Sequence, residues 1–352
     1  MDNALFLAKP EDGKQISQIL ESTAGNGMVV MSYTRRPDAY LSYQKESGTP
    51  LVYVQRQNQQ IIQTCAMLVR KNYIGRAIKT TGYICGLKKI SNYSGYAMNT
   101  FKIFNCFDDE KLDLTYCCVL KSNDSFRQMI EKNRRILSSA KICEFRTFMF
   151  NPSQRIKAPK HQFTFRQATS NDLNNLIAYL NEEGKKHDLF PVIESLDQFS
   201  NLSVEDFYLL LDNDQIICAA ALWDVSSYKQ YTVKKYSWFM KVLRGFNPLL
   251  SALKYIKLPK VDEPIIFPFI SFLVCKDNNL DHYQIFLKEI SKVASRKYGL
   301  AGIALATNHF AYQFMKTLKS VSFDSNLYKL VFNDHDKNTI ISDQIFTENA
   351  LL

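Results

Sequence analysis

The chain has 352 residues, 46% hydrophobic and 22% charged, with a net charge of +10. That is the profile of a globular protein too long for one ordinary core, so two domains are expected. The longest apolar run, 264–275, falls short of the ~20 residues a bilayer span needs, and the N-terminus shows no basic-then-apolar leader.

Eight cysteines lie at 65, 85, 106, 117, 118, 143, 218 and 275, none in a C-x-x-C pair. Several sit inside apolar strand patterns, so free buried thiols in a reducing cytoplasm are expected. The five histidines are isolated, so the sequence offers no metal-ligand spacing.

Taken in order, the chain shows one plan twice. Phe6-Leu-Ala8-Lys-Pro-Glu-Asp12 resembles Arg166-Gln-Ala168-Thr-Ser-Asn-Asp172, and each leads into a helix, carrying Ile16, Ile19 and Leu20, or Leu173, Leu176, Ile177 and Leu180. Hairpins follow at 52–62 and 207–217, with polar turns between apolar strands. A long strand, 83–92 or 269–278, then feeds a helix. Next come strands ending in Asn123 and Asn308, and last strands at 142–150 and 326–332. The polar, proline-bearing stretch 151–162 reads as a linker between domains 1–150 and 163–332, with a C-terminal extension at 333–352 that straps back or frays.

Charge is uneven. From Val225 to Val261 there are eight Lys or Arg, no acidic residue and interleaved aromatics. An anionic partner is one reading: nucleotide phosphate, nucleic acid or a membrane surface. A solvated basic face over a core-packing aromatic side is the reading preferred. Either way, the stretch is an insertion in the second half.

The segment 80–104 organises the first half: strand Gly82–Leu87, a polar turn through Ser94-Gly95, then Ala97, Met98, Phe101 and Phe104 at helical spacing. Strand, glycine turn and helix together aim backbone N–H groups and a helix N-terminus at an anion. The order of elements, with this turn, resembles the Gcn5-related N-acetyltransferase (GNAT) superfamily over nearly all of residues 1–332. Arg36-Pro37-Asp38 and Trp223-Asp224…Lys229-Gln230 are similar to stretches of bacterial tandem members. The resemblance implies an α/β class, a mixed sheet and two tandem acyl-CoA N-acyltransferase domains. It also implies acetyl-CoA or another acyl-CoA as co-substrate, and a small-molecule amine or peptide as acceptor.

In this family the pyrophosphate is held by an Arg/Gln-x-x-Gly-x-Gly/Ala turn. Here Asn92-Tyr-Ser-Gly95-Tyr-Ala97 aligns with it but begins with Asn, and Ser94-Gly-Tyr-Ala97-Met-Asn99 is the other register. The expected cofactor contacts are Leu87, Lys88, Lys89, Asn92, Ser94, Gly95, Tyr96, Ala97, Met98 and Asn123. The second-half turn, 275–282, has no glycine and carries Asp277 and Asp281, so it is not expected to bind a pyrophosphate. Ile130 and Met315 stand where the family places the tyrosine that protonates the leaving thiolate. No general base stands out. Glu46 and Glu21 read as solvated, and simple alternation would put Tyr83, Cys85 and Leu87 on one face. The expected activity is acyl transfer to an amine by the first domain. The alternative is a catalytically silent CoA- or ligand-binding protein.

Overall fold

The computed structural model describes residues 5–22, 28–90, 112–132, 138–253, 255–331 and 341–352. The first half runs β1 (Leu5–Leu7), α1 (Gly13–Glu21), β2 (Val29–Arg35), α2 (Ala39–Gln44), β3 (Thr49–Gln57), β4 (Gln60–Ile74), β5 (Ala77–Lys89), β6 (Leu114–Leu120), α3 (Asp124–Lys132) and β7 (Ser138–Phe150). The second runs β8 (Thr164–Gln167), α4 (Leu173–Gly184), β9 (Phe207–Asp212), β10 (Gln215–Trp223) and β11 (Lys229–Tyr236). It continues through α5 (Trp238–Gly245), α6 (Asn247–Ala252), β12 (Phe269–Cys275), α7 (Leu280–Ala294), β13 (Ala301–Ala306), α8 (Tyr312–Lys316) and β14 (Ser320–Val331).

Both expected hairpins form. Asn58 and Gln59 turn β3 into β4, and Asn213 and Asp214 turn β9 into β10, all four with positive φ. Two central residues of that kind make a type I′ turn, whose twist matches the flanking strands. A third such turn, Gly75-Arg76, joins β4 to β5 and was not expected.

Twelve strands make one sheet in the order β1-β3-β4-β5-β6-β14-β7-β13-β12-β10-β9-β8. The two centre strands are exchanged. β14, late in the chain, pairs with β6, while β7 pairs with β13, and the two pair with each other from Ser320↔Phe150 to Val331↔Ser138. The halves therefore share their central ladder. Helices α4 and α7 pack into two separate apolar clusters of the second half, and α1 packs Ile16, Ile19 and Leu20 into a cluster of the first.

Two parallel pairs break the otherwise antiparallel ladder. β5 and β6 are in register only from Thr81↔Leu114 to Ile84↔Cys117, and β12 and β13 only at Phe269↔Gly302. Beyond those points the strands part. Just past each parting point lies a bulge. Gly86 and Leu87 together oppose one residue of β4, and Phe272 and Leu273 oppose one residue of β10, with φ of 61° at Gly86 and 56° at Phe272. The bulge corrects the expected alternation. Tyr83 and Cys85 pack into the cluster with α1, but Leu87 falls with Ile84 in the opposite one, because the extra residue reverses the facing.

The cysteine expectation fails at one pair. Cys218 and Cys275 are cross-strand partners on β10 and β12 and are joined as a disulfide, while Cys85, Cys117, Cys118 and Cys143 are free. The segment 341–352 straps back, as one of the two readings allowed. Its Ile345 bridges to Asp188, and Glu348, Ala350 and Leu351 are buried. No helix among the described residues is long and apolar enough to cross a membrane.

Candidate functional site

β2 and β11 form a separate two-stranded ribbon that ties one half to the other. Strand alternation sends Tyr33, Arg35, Lys229 and Tyr231 to one face of it, because Arg35↔Lys229 and Tyr33↔Tyr231 are register pairs. That face meets α2 and the residue just beyond it, Glu46. An Arg35 Nη2 donates to Glu46 Oε1 at 2.8 Å, and Lys229 Nζ lies 3.0 Å from the same oxygen. All three side chains are at most 3% exposed. Glu46 is thus the anion of a buried three-charge cluster, which corrects its expected solvated setting. Lys229, one of the eight cations of the basic stretch, is likewise inside.

The cluster extends both ways. Toward the first half, the Arg35 guanidinium stacks 3.8 Å from the Tyr43 ring centroid, and Tyr43 Oη sits against Gly86, where a Cβ would come within 2.0 Å of it. Toward the second half, Lys229 Nζ donates to the Ala350 carbonyl at 2.9 Å, and Arg70 Nη2 to that of Leu351 at 3.0 Å. The same strap carries Glu348. Its Oε2 accepts from the Phe272 amide at 2.8 Å, and its Oε1 accepts from Ser271 Oγ at 3.0 Å and from the Ala350 amide at 3.1 Å. The two bulges, at Gly86 and Phe272, are therefore connected by one buried polar chain running Tyr43, Arg35, Glu46, Lys229 and the strap.

Electrostatics follow from that geometry. Burial alone would raise the Glu46 carboxyl, but Lys229, Arg35 and Arg70 outweigh it and hold Glu46 below its ordinary range. Burial pulls Lys229 below the usual lysine value, against the attraction of Glu46. Burial pushes Glu348 up to about 7, against its hydrogen bonds to Phe272, Ala350 and Ser271. Burial also raises Cys85, so its thiol is a poor nucleophile. Several buried atoms here have no hydrogen-bond partner among the described residues: Glu46 Oε2, Arg35 Nε, Arg70 Nε, Tyr43 Oη and Tyr228 Oη. Buried polar atoms are normally paired, so this concentration sets the cluster apart from the surrounding core.

The expected cofactor contacts fall unevenly. Asn92, Ser94, Gly95, Tyr96, Ala97 and Met98 lie outside the described residues. Leu87 is in the bulge. Lys88 donates to the Leu20 carbonyl at the end of α1. Lys89 ends β5, in register with Gln63. Asn123 caps α3, its Oδ1 accepting from the Phe126 amide at 3.3 Å. Ile130 and Met315 are buried, at 1% and 0% exposure. Glu21 pairs with Arg36 at 2.8 Å. In the second-half turn, Asn279 accepts from the Asp281 and His282 amides, so those donors are already used.

An open cavity of about 350 Å³ lies on the other face of the ribbon, lined by Thr34, Arg36, Gln230, Thr232 and Lys234 among others. It holds an ion pair, Lys234 with Asp262, and no acid–base couple aimed into the polar chain.

Sequence reasoning missed Arg35, Arg70, Lys229 and Glu348. The available signal was an arginine inside an apolar strand run, Cys65-Ala-Met-Leu-Val-Arg70. A residue so placed is buried against a partner or is misassigned. Gly86 was placed on a regular strand face. A side chain there would need a left-handed φ and would press on Tyr43, so Gly86→Ala should cost about 1–3 kcal/mol. Urea midpoints would show it, and an unchanged midpoint would mean that Tyr43 does not press on the bulge.

No protein-family model matches the sequence, and no curated protein matches it. Solved structures match the fold. The N-myristoyltransferase of Saccharomyces cerevisiae with bound myristoyl-CoA gives a TM-score of 0.58 at 8% identity, over 99% of this chain and 90% of that one. A GCN5-related N-acetyltransferase from Anabaena variabilis ATCC 29413 gives 0.53 at 9% identity, over 93% and 72%. The chain has the GNAT fold, in tandem.

Proposed function

We propose that this tandem GNAT-fold chain is an acyl-CoA-dependent N-acyltransferase that works in its first half, on an amine or peptide acceptor. The observation that carries the reading is the unequal state of the two bulges. In the second half the Phe272 amide is taken by Glu348. In the first, no side-chain hydrogen bond to the Gly86 or Leu87 amide is found among the described residues. A strand that parts from its parallel neighbour and bulges offers backbone amides to an extended, amide-bearing arm and to a carbonyl oxygen.

The residues fit an acyl-CoA on that ground. Leu87, Lys88 and Lys89 would line its arm where β5 leaves β6, and the turn 92–98 would hold its diphosphate. The coenzyme would supply a thioester carbon as electrophile and a thiolate as leaving group. The chain's share is to orient the carbonyl at the bulge and to keep water from it. The acceptor nitrogen bonds to the carbonyl carbon, the carbon–sulfur bond breaks, and the acceptor's proton leaves. With Ile130 in place of the usual tyrosine, the thiolate departs without a donor from α3, which its pKa of ~8.5 allows. The free thiols Cys85, Cys117, Cys118 and Cys143 favour a cytoplasmic setting.

Titration calorimetry with acetyl-CoA and with a long-chain acyl-CoA tests this. Micromolar binding is expected, lost in Gly95→Glu and kept in Asp277→Lys. Thiol release with a panel of amines then follows turnover. Binding without turnover would favour a silent coenzyme-binding protein, a reading supported by the buried Ile130 and Met315 where the family carries a tyrosine. No binding at all would end both.

A further inference from the structure

The ribbon leads into an exposed helical pair whose apolar residues face outward. Trp238 is 78% exposed, Phe239 60%, Phe246 55% and Leu249 56%, and Val242 and Leu253 are exposed as well. At 100° per residue, Trp238, Phe239, Val242 and Phe246 lie within an arc of about 100° on α5 and its C-cap. A helix of a globular protein turns such an arc inward. Here α5 has no buried residue at all. The segment is nonetheless pinned. Ser237 caps α5 through the Met240 amide, and Asn247 exchanges two hydrogen bonds of 2.9 Å with Leu258.

On the same count Lys241 lies about 60° outside the arc, beside Trp238, and Arg244 lies on the opposite face. Lys235, Lys241, Arg244 and Lys257 have no ion pair among the described residues, and no acidic residue occurs from 225 to 261. The segment therefore joins an exposed apolar face to a surplus of positive charge around it, so its partner is anionic outside and apolar within. An anionic bilayer has that profile. Tryptophan and phenylalanine settle at the acyl–headgroup boundary, and lysine and arginine reach out to the phosphates. A second copy meeting this face by a two-fold axis would set like charges against like. Nucleic acid would pair with the cations and stack on the rings but leaves Val242, Leu249 and Leu253 without a partner.

We propose that residues 238–257 form a membrane-docking face that seats Trp238 and Phe239 at the boundary of an anionic bilayer while Lys241, Arg244 and Lys257 contact its headgroups. This stands whether or not the chain transfers an acyl group.

The chain has two tryptophans, and Trp223 is buried. Emission changes on adding vesicles therefore report Trp238. Vesicles of phosphatidylcholine doped with phosphatidylglycerol should shift the emission to the blue and carry the protein upward on flotation, and salt should weaken the binding. Trp238→Ser with Phe239→Ser should weaken flotation by at least ~10-fold. Lys241→Glu with Arg244→Glu should do the same on anionic vesicles alone. Trp238, Phe239 and Lys241 are exposed and Arg244 is half-buried, so a urea midpoint for each variant separates lost binding from lost fold. Three outcomes overturn the proposal: no flotation of the wild type, flotation equal in the variants, or no blue shift beside Trp238-dependent binding to polyglutamate, heparin or a second copy.

Discussion

Glu46→Gln should destabilise the chain by about 3–5 kcal/mol, the cost of leaving buried charge without its partner. The reason lies in the stoichiometry of the cluster. One carboxylate faces two cations, Arg35 at 2.8 Å and Lys229 at 3.0 Å, with Arg70 contributing from further off. The amide keeps the shape and loses the charge, so two cations are left buried against each other. A typical domain has only about 5–15 kcal/mol to lose. Urea unfolding reads the loss directly. Lys229→Met alone leaves the Arg35–Glu46 pair intact and should cost less. The two changes together should cost less than the sum of each alone, because Glu46→Gln removes the anion that Lys229 serves. Additive losses would mean that the three side chains do not act as a unit. The pH dependence has a definite sign. Glu46 is held below its ordinary range, so its contribution is fully present above the unfolded pKa and disappears as pH falls through the folded one.

That cluster also marks where the sequence stopped being readable. Local signals gave the elements: Asn58 and Asn213 for the tight turns, apolar spacing for α1 and α4, and Asn123 and Asn308 after β6 and β13. Each depends on neighbours in the chain. The exchange of β7 and β14 does not. Nothing within Ser138–Phe150 says whether its partner is β6 or β13, since both edges present the same alternation. The bulge at Gly86 was hidden for a related reason. A glycine in an apolar run is compatible with a plain strand, and only the register against Thr64 and Ala66 shows the extra residue. Glu46 and Lys229 are far apart in sequence, and each alone looks like a surface charge. Only the ribbon of β2 and β11 brings them together and takes them out of water. The basic stretch was read as a solvated basic face over a core-packing aromatic side, and it divides along the chain instead: Tyr228, Lys229 and Tyr236 go inward, while Trp238 and Phe239 go outward with α5.

Glu348 should impose the opposite pH dependence, and Glu348→Gln should remove it. Burial pushes its folded pKa from 4.5 up to about 7. Between those values the folded chain holds a proton that the unfolded chain has released. Stability therefore falls as pH rises through that window, by about 3 kcal/mol at full extent, and is level above it. Glutamine is neutral at every pH. Its carbonyl oxygen can still accept from the Phe272 amide, and its amide can donate to Ser271 Oγ. The bond from the Ala350 amide is lost, at about 1 kcal/mol. The variant should then be less stable than the wild type near pH 4 and more stable at pH 8, while His187 and His309, pulled down by burial, add a slope of the opposite sign below about pH 6.5 to both proteins. The difference in urea midpoint between the two proteins across that range decides it, with Glu46→Gln as the control whose slope there should stay that of the wild type, because Glu46 titrates below the window. A slope left unchanged by Glu348→Gln would place the proton elsewhere. A slope that changes by about 3 kcal/mol across the window would tie the strap and the Phe272 amide to the titration of Glu348.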